Sequence, residues 1–395
     1  MTKKSHLAEI NIVRAIAILG VIIVHTSSTA LNRAADPAAL FVYNFANIFF
    51  KYGTPTFILL SSFVLFYNYF GKPFTGDRLR TFYRNRMLYI LIPYILFSVL
   101  YFMVRSYPYM ADYGYPPLAI GTEFMKRLLT GRANDHLYFV FISVQFYILF
   151  PLLIRALGRS AWLRNWAIPL GFAVQWAFAI LNTHYFGIVN KGSISLSYMG
   201  YYMTGAYIGL NYERVKSWLT GFHTPRAAAA WTLSSVLWAG WLISSALYVR
   251  LWYATRRYGE WADNIYYELY WNLHTIFSAV VILQLALYLK RFAGRLPIRW
   301  MTRLGTVSFG VYLVHPLVLR FSRIYLTQLD GAAFHLALLA VFAITLLLSW
   351  GVVEAAFRFS PHSWVLFGAA PKRRAEDGGR ASGEVGRIAG APEGF

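Results

Sequence analysis

The chain predicts an all-α fold, a polytopic membrane bundle of about ten transmembrane helices with both termini in the cytoplasm. Three observations predict it. Of 395 residues, 58% are hydrophobic, 18% aromatic and only 13% charged, a usage far outside that of soluble domains. Apolar runs of spanning length recur from end to end, so one membrane domain covers 1–367 and a Gly-, Arg-, Glu- and Pro-rich tail expected to be disordered covers 368–395. The cations collect in every second linker, so the net charge of +21 reads as membrane topology and not as a nucleic-acid partner. Cysteine is absent, which excludes thiol nucleophiles, disulfides and cysteine-ligated metals.

The expected spans are 8–31, 40–69, 87–106, 136–154, 165–183, 194–212, 228–249, 266–289, 304–325 and 333–353. Linkers after even-numbered spans carry Lys72, Arg78, Arg80, Arg84 and Arg86; Arg155, Arg159 and Arg164; Arg214, Lys216 and Arg226; and Lys290, Arg291, Arg295, Arg299 and Arg303. Linkers after odd-numbered spans hold more acids, among them Asp112, Glu123, Asp135, Glu260, Asp263 and Asp330. Positive-inside logic turns this alternation into the topology above. The opening MTKKSH precedes an apolar run longer than a signal core and without a small-residue cleavage site, and reads as an uncleaved anchor.

The first span carries Arg14 and His25, groups that cost on the order of 3 kcal/mol or more at the bilayer centre. Eleven residues at about 100° each leave only ~20° after three turns, so both side chains share one stripe ~16 Å apart along the axis. Such a stripe reads as a column for binding and chemistry; the plainer reading has Arg14 snorkelling and His25 as a satisfied interior histidine. Gly53-Thr54-Pro55 breaks the second span just after Lys51, which either snorkels outward or lines the same interior. Arg80, Arg84 and Arg86 cluster where the third span begins, as topological signals or as a site for an anion such as phosphate. Asp135 and His136 stand at the outer edge of the fourth span, an interfacial pair or a second proton-handling site, with Gln145 inside it.

Residues 251–271 are rich in Tyr and Trp, either an aromatic belt or a platform for sugar rings with Glu260 and Asp263 bonding hydroxyls. In the ninth span Ser308, Tyr312 and His315 fall at i, i+4 and i+7, a polar stripe on one helix face beside Pro316. Glu354 closes the last span, where it balances nearby cations or serves the site. No nucleophile elbow, phosphate-binding loop, dinucleotide fingerprint or His-Glu-x-x-His pattern occurs, and nine scattered histidines argue against a metal cluster.

Taken together these segments resemble the acyltransferase type 3 family of membrane enzymes. Arg14 and His25 match its Arg-x10-His signature; KYGTPTFILLSSFVLF resembles its second-span motif, with Ser61-Ser62 where the family commonly has Ser-Gly. YRNRMLYILIPY resembles its Arg-x-Arg entry to the third span, and HLYFVFISVQFYILFPLL its fourth-span segment, with Tyr138 in place of the usual Trp. VSFGVYLVHPLV is close to its Ser-x-x-x-Tyr-x-x-His motif, and Glu354 stands at its terminal-span glutamate, so the resemblance covers about residues 8–360. It implies a multi-pass protein of the bacterial inner membrane that transfers an acyl group, usually acetyl, from cytoplasmic acyl-coenzyme A to a hydroxyl of a surface glycan, glycolipid or related acceptor. Many members carry an appended extracytoplasmic hydrolase-like domain; here that partner would be a separate protein.

The residues fit that chemistry on their own terms. Acyl transfer to oxygen needs a base near neutrality, and an imidazole is the natural candidate. His25 is the expected base or transient acyl acceptor; Arg14, Arg80, Arg84 and Arg86 would bind the donor; Ser308, Tyr312 and His315 would orient groups or stabilise the oxyanion. Lys51, Gln145, Glu260 and Asp263 are the expected acceptor contacts. Membrane lipids surround the bundle, and no metal is expected. The competing class is an exporter of a glycan or small organic anion, which broken helices and a polar interior also suit.

Overall fold

The structure, a computed structural model, describes residues 7–369 except 32, 35, 74, 223, 226 and 327. Arg226 and nearly all of the tail expected to be disordered therefore lie outside the described residues. The chain runs through α1 (Ala8–Leu31), α2 (Pro37–Phe49), α3 (Gly53–Tyr69), α4 (Gly76–Arg86), a π turn (Met87–Leu91), α5 (Ile92–Arg105), α6 (Tyr107–Asp112), α7 (Pro117–Leu128), α8 (Tyr138–Arg159), α9 (Ala161–Asn165) and α10 (Ala167–Leu181). After a second π turn (Asn182–Phe186) and two 3-10 turns come α11 (Met199–Leu210), α12 (Tyr212–Thr220), α13 (Ala227–Tyr258), α14 (Asn264–Phe292), α15 (Arg295–Thr306), α16 (Ser308–Ile324), α17 (Gly331–Phe359) and α18 (Trp364–Phe367). Among the described residues no strand occurs, so the fold is the all-helical membrane bundle that composition predicts.

Among the described residues, seven helical stretches are long and apolar enough to cross a membrane, and the pair α15–α16 makes an eighth if its 76° bend is counted as one span. The fifth and sixth expected spans form as α10 and α11, only 15 and 12 residues long against the roughly 20 of a full crossing. Local chemistry explains the shortening. The Asn182 side chain folds the end of α10 back, accepting from the Ile188 amide at 2.9 Å and donating to its carbonyl at 3.2 Å. α11 is buried along nearly its whole length and packs on α3, where a Cβ on Gly205 would stand 2.1 Å from the Leu59 carbonyl oxygen. A helix enclosed by protein satisfies no lipid boundary, so its length is free of the bilayer's constraint.

α1 lies at the centre. Its most apolar stretch is 67% buried, and it touches α2, α3, α14, α15, α16 and α17. The corresponding stretch of α17 is 28% buried and leaves Leu336, Leu339 and Leu347 exposed, as a lipid-facing helix should. The second span is broken as expected, between Phe49 and Gly53. The carbonyl of Phe49, freed by the break, accepts a hydrogen bond from His274 Nε2 at 3.0 Å, which fixes the tautomer so that Nδ1 accepts from Ser245 at 2.8 Å. The bend between α15 and α16 falls at Val307, just past a close crossing of α15 on α1: a Cβ on Gly305 would meet the Asn11 carbonyl oxygen at 1.8 Å. Arg303 then pairs with Glu354 through two bonds of 2.7 and 2.9 Å, so the terminal glutamate holds α15 against α17.

Backbone sits where the Gly305 Cβ would go and cannot yield as a flexible side chain would. Gly305→Ala should therefore destabilise the protein by about 1–3 kcal/mol, read as a lowered unfolding midpoint in detergent. Gly121→Ala, with open space around its site, should leave the midpoint unchanged or slightly raised.

Candidate functional site

Two hollows meet near the middle of α1. The larger, about 770 Å³, is lined by His25, Lys51, Asp135, His136, Tyr138, Lys191, Glu268, Trp271 and Tyr312 among others. The smaller, about 130 Å³, is lined by Arg14, Ser61, Arg86, Tyr147, Ser308, Phe309 and Tyr312. Tyr312 borders both. The stripe of Arg14 and His25 thus opens at one end into a narrow cleft and at the other into a wide cavity.

Three imidazoles gather where the hollows approach each other. The rings of His25 and His315 lie 5.3 Å apart, and those of His315 and His136 5.7 Å apart. Each is placed by a different element: His25 by α1, His315 by α16 and His136 by the turn before α8. His315 Nδ1 is 2.8 Å from the Tyr312 carbonyl oxygen and so donates to it, leaving Nε2 as the basic nitrogen with no partner among the described residues. His136 is buried with neither ring nitrogen bonded among the described residues, its ring edge-on to Tyr101 at 5.0 Å. The Tyr312 hydroxyl donates to the His136 carbonyl and ties α16 to the turn before α8, and Tyr101 of α5 donates to the Leu313 carbonyl at 2.7 Å and ties α5 to α16. The His25 carbonyl accepts from Arg323 at 2.5 Å. Despite these imidazoles, no group of three or more His, Asp or Glu side chains among the described residues has metal-holding geometry.

At the narrow cleft, Arg14 Nη1 donates to Asn11 at 3.3 Å, and the Arg86 guanidinium lies 5.0 Å from the Tyr147 ring centre and 5.1 Å from that of Phe82. Arg86 ends α4, where the helix widens into the π turn ahead of Pro93. That widening carries the backbone past a proline that cannot donate. Ser308 starts α16 immediately after the bend, which turns it toward the cleft.

The expected residues divide accordingly. His25, Tyr312 and Lys51 share the wide cavity, with His315 packed against His25 behind it; Arg14, Arg86 and Ser308 share the cleft. Arg80 and Arg84 stay exposed on α4 and do not line the cleft. Gln145 does not line the wide cavity: its amide donates to Ser193 O at 2.8 Å and accepts from Ser195 N at 2.9 Å, tying a loop to α8. Asp263 caps α14 through the Ile265 amide at 2.9 Å, and Glu260 is exposed in the preceding turn. The acid of this segment that does line the cavity is Glu268, paired with Lys191 at 2.7 Å, with Tyr267 and Trp271 beside it. Its signal was present in the polar positions Asn264, Glu268, Asn272 and Thr275, which repeat at helical spacing within an apolar run.

A family model described as an acyltransferase domain matches residues 7–354. A probable poly-beta-1,6-N-acetyl-D-glucosamine export protein of Staphylococcus aureus is 28% identical over 223 residues, which cover 53% of this chain and 59% of that relative. One of the same name from Staphylococcus epidermidis is 24% identical over 329 residues, 80% of this chain and 82% of the relative. No solved structure matches the chain. With the family pattern spanning nearly all of a helical membrane bundle, the chain belongs to the acyltransferase type 3 family.

Proposed function

We propose that the protein transfers an acyl group, most simply acetyl, from an acyl-coenzyme A thioester in the Arg14–Arg86 cleft to a hydroxyl of a surface glycan or glycolipid in the His25 cavity. The observation that carries this reading is the shared wall: Tyr312 borders both hollows, and His25 and His315 stand beside it. A cleft of about 130 Å³ suits a thin thioester arm and not a nucleotide. The donor's phosphates would then remain outside, within reach of the exposed Arg80 and Arg84, whose forked guanidinium groups suit phosphate. The cavity's aromatic and polar lining, Tyr267, Trp271, Glu268 and Lys191, suits a sugar with hydroxyls to bind and a ring face to stack.

In the proposed step the acceptor hydroxyl attacks the thioester carbonyl while its proton passes to the free nitrogen of His25. The C–O bond forms, the C–S bond breaks, and the departing thiolate takes the proton, returning the imidazole to its neutral state. His315, fixed in one tautomer, orients His25 and shares its proton. Ser308 sits on the cleft side, where the carbonyl oxygen gains charge. The Tyr312 hydroxyl is committed to the His136 carbonyl, which makes Tyr312 a positioning residue on this reading. The setting is the bacterial inner membrane, and any hydrolase-like partner would be a separate extracytoplasmic protein.

Export is the second reading, favoured by the names of the staphylococcal relatives. Thioester consumption separates the two. In lipid nanodiscs with acetyl-labelled acetyl-coenzyme A and an envelope glycan extract, label should move to glycan with release of free thiol, and His25→Ala should remove it by ~10²-fold or more. Donor bound yet left intact by the wild type would sink the transfer reading and favour export. Arg86→Gln should raise the donor KM by about tenfold with kcat largely retained, as loss of a charge-assisted contact predicts. Tyr312→Phe should lower kcat roughly tenfold with both KM values near wild type; a loss as large as that of His25→Ala would make Tyr312 a direct participant.

A further inference from the structure

Beside the His25 cavity lies a second feature that the transfer step does not use. Arg256, on α13, has its guanidinium held by two asparagines of α2: Nη1 donates to Asn44 Oδ1 at 2.7 Å and Nη2 to Asn47 Oδ1 at 3.0 Å. Both amides are buried and are themselves oriented. Asn44 Nδ2 donates to the Val249 carbonyl at 2.9 Å, and Asn47 Nδ2 to Ser28 Oγ at 2.9 Å and the Val24 carbonyl at 3.1 Å, so their oxygens are obliged to face the arginine. These partners fix the guanidinium in place, and being neutral they leave its charge uncompensated.

A second cation stands close by. Lys51 Nζ lies 5.4 Å from the ring centre of Trp252, and the Arg256 guanidinium 5.0 Å from the same ring. Among the described residues neither cation is paired with a carboxylate, and the two acids lining the His25 cavity are engaged elsewhere, Asp135 with Arg105 at 2.8 Å and Glu268 with Lys191 at 2.7 Å. Two like charges gathered at one indole in a partly buried setting repel each other, and an anion between them relieves that repulsion. The space for one exists: a pocket of about 500 Å³ is lined by Lys51, Arg256 and Asn47 on one side and by the apolar Leu31 and Leu40 on the other, with no acid in its wall. Lys51 also lines the His25 cavity, so the two spaces adjoin.

We infer that Lys51 and Arg256 form a binding site for a phosphate mono- or diester carried by the acceptor, which anchors it with a hydroxyl presented to His25. This rests on the reading of the His25 cavity as the acceptor chamber. A planar guanidinium beside an ammonium matches tetrahedral phosphate oxygens, and Leu31 and Leu40 accommodate whatever apolar group adjoins it.

The test measures binding and needs no turnover. The full chain in phosphatidylcholine nanodiscs is titrated with glucose 1-phosphate by calorimetry, and nanodiscs doped with phosphatidic acid are scored for retained lipid by native mass spectrometry. At least one probe should bind the wild type, with Lys51→Gln and Arg256→Gln each weakening it about tenfold or more and Arg256→Lys weakening it less. Loss in the soluble arm identifies a phosphorylated sugar, and loss in the lipid arm a lipid-carried phosphate. No binding of either probe, or binding equal in wild type and both glutamine variants, overturns the site. Among the described residues Lys51 makes no hydrogen bond through its side chain, so Lys51→Gln keeps the test decisive if Arg256→Gln lowers the melting temperature. Phosphate binding without thioester consumption would support this site and sink only the transfer reading; turnover without phosphate binding would sink only the site.

Discussion

A polar group carried into hydrocarbon must find protein or water, and α1 carries more of them than any lipid-facing helix could tolerate. Several have a local answer, whereas the hydroxyls of Thr26 and Thr29 are buried without a partner among the described residues. Glu9, buried near the start of the helix, accepts from Tyr212 and pairs with Lys290 at 2.7 Å. Ser27 and Ser28 turn back on the Val24 carbonyl at 3.1 and 2.7 Å, and Asn47 reaches the same oxygen from α2. Arg14 and His25 open into hollows instead. Meeting all of these needs at once requires protein on every side of α1, which is why α2, α3 and α14 through α17 all touch it. The bundle is arranged around the solvation demands of one helix.

The two interruptions in the surrounding helices follow from the same demand. A continuous second span would press its backbone against His25; the break before Gly53 instead lets Phe50, Lys51 and Thr54 border the cavity. The close approach is visible at Gly53, where a Cβ would stand 2.4 Å from a Val21 methyl. Broken helices leave unpaired carbonyls, and in hydrocarbon each would cost several kcal/mol. His274 answers that cost at Phe49 and is thereby withdrawn from any chemistry, although by residue type it is as reactive as His25. At the other end, the 76° bend at Val307 turns α16 away from the direction of α15 and leaves Ser308 and Tyr312 to form the cleft wall.

Much of this was legible in the sequence because membrane burial makes polar residues conspicuous. Arg14 with His25, and Ser308 with Tyr312 and His315, stand out against apolar neighbours and lie on calculable faces. The structure brings both stripes together. What escaped were choices that depend on contacts distant in sequence. Arg80, Arg84 and Arg86 look alike in a row, yet only Arg86 ends the helix and turns inward to the cleft. Glu260 and Asp263 are as acidic as Glu268, but Asp263 serves the start of α14 while Glu268, farther along that helix, faces the cavity. Gln145 is polar within a span as His25 and Tyr312 are, and its partners are backbone groups of a loop that composition gives no means of placing. The shortness of the fifth and sixth spans escaped for a related reason: apolar length predicts a full crossing only for a helix that meets lipid, and α11 meets protein.

The geometry also bears on the choice between moving a glycan and modifying one. An exporter needs, in some state, a continuous path wide enough for a sugar ring. Here the wide cavity narrows from about 770 Å³ to a cleft of about 130 Å³, and the wall between them is held by Tyr312 bonded to the His136 carbonyl and Tyr101 bonded to that of Leu313. Opening a path there would uncouple α16 from the turn before α8 and from α5 and would take the acceptors from two buried tyrosine hydroxyls, each at a cost of about 1–3 kcal/mol. A thin thioester arm reaching one side of Tyr312 while a hydroxyl waits on the other requires no such opening. On the proposed transfer reading only the acyl group would have to pass this wall, beside which the imidazoles gather. A wall costly to open to a polymer therefore favours that reading over export.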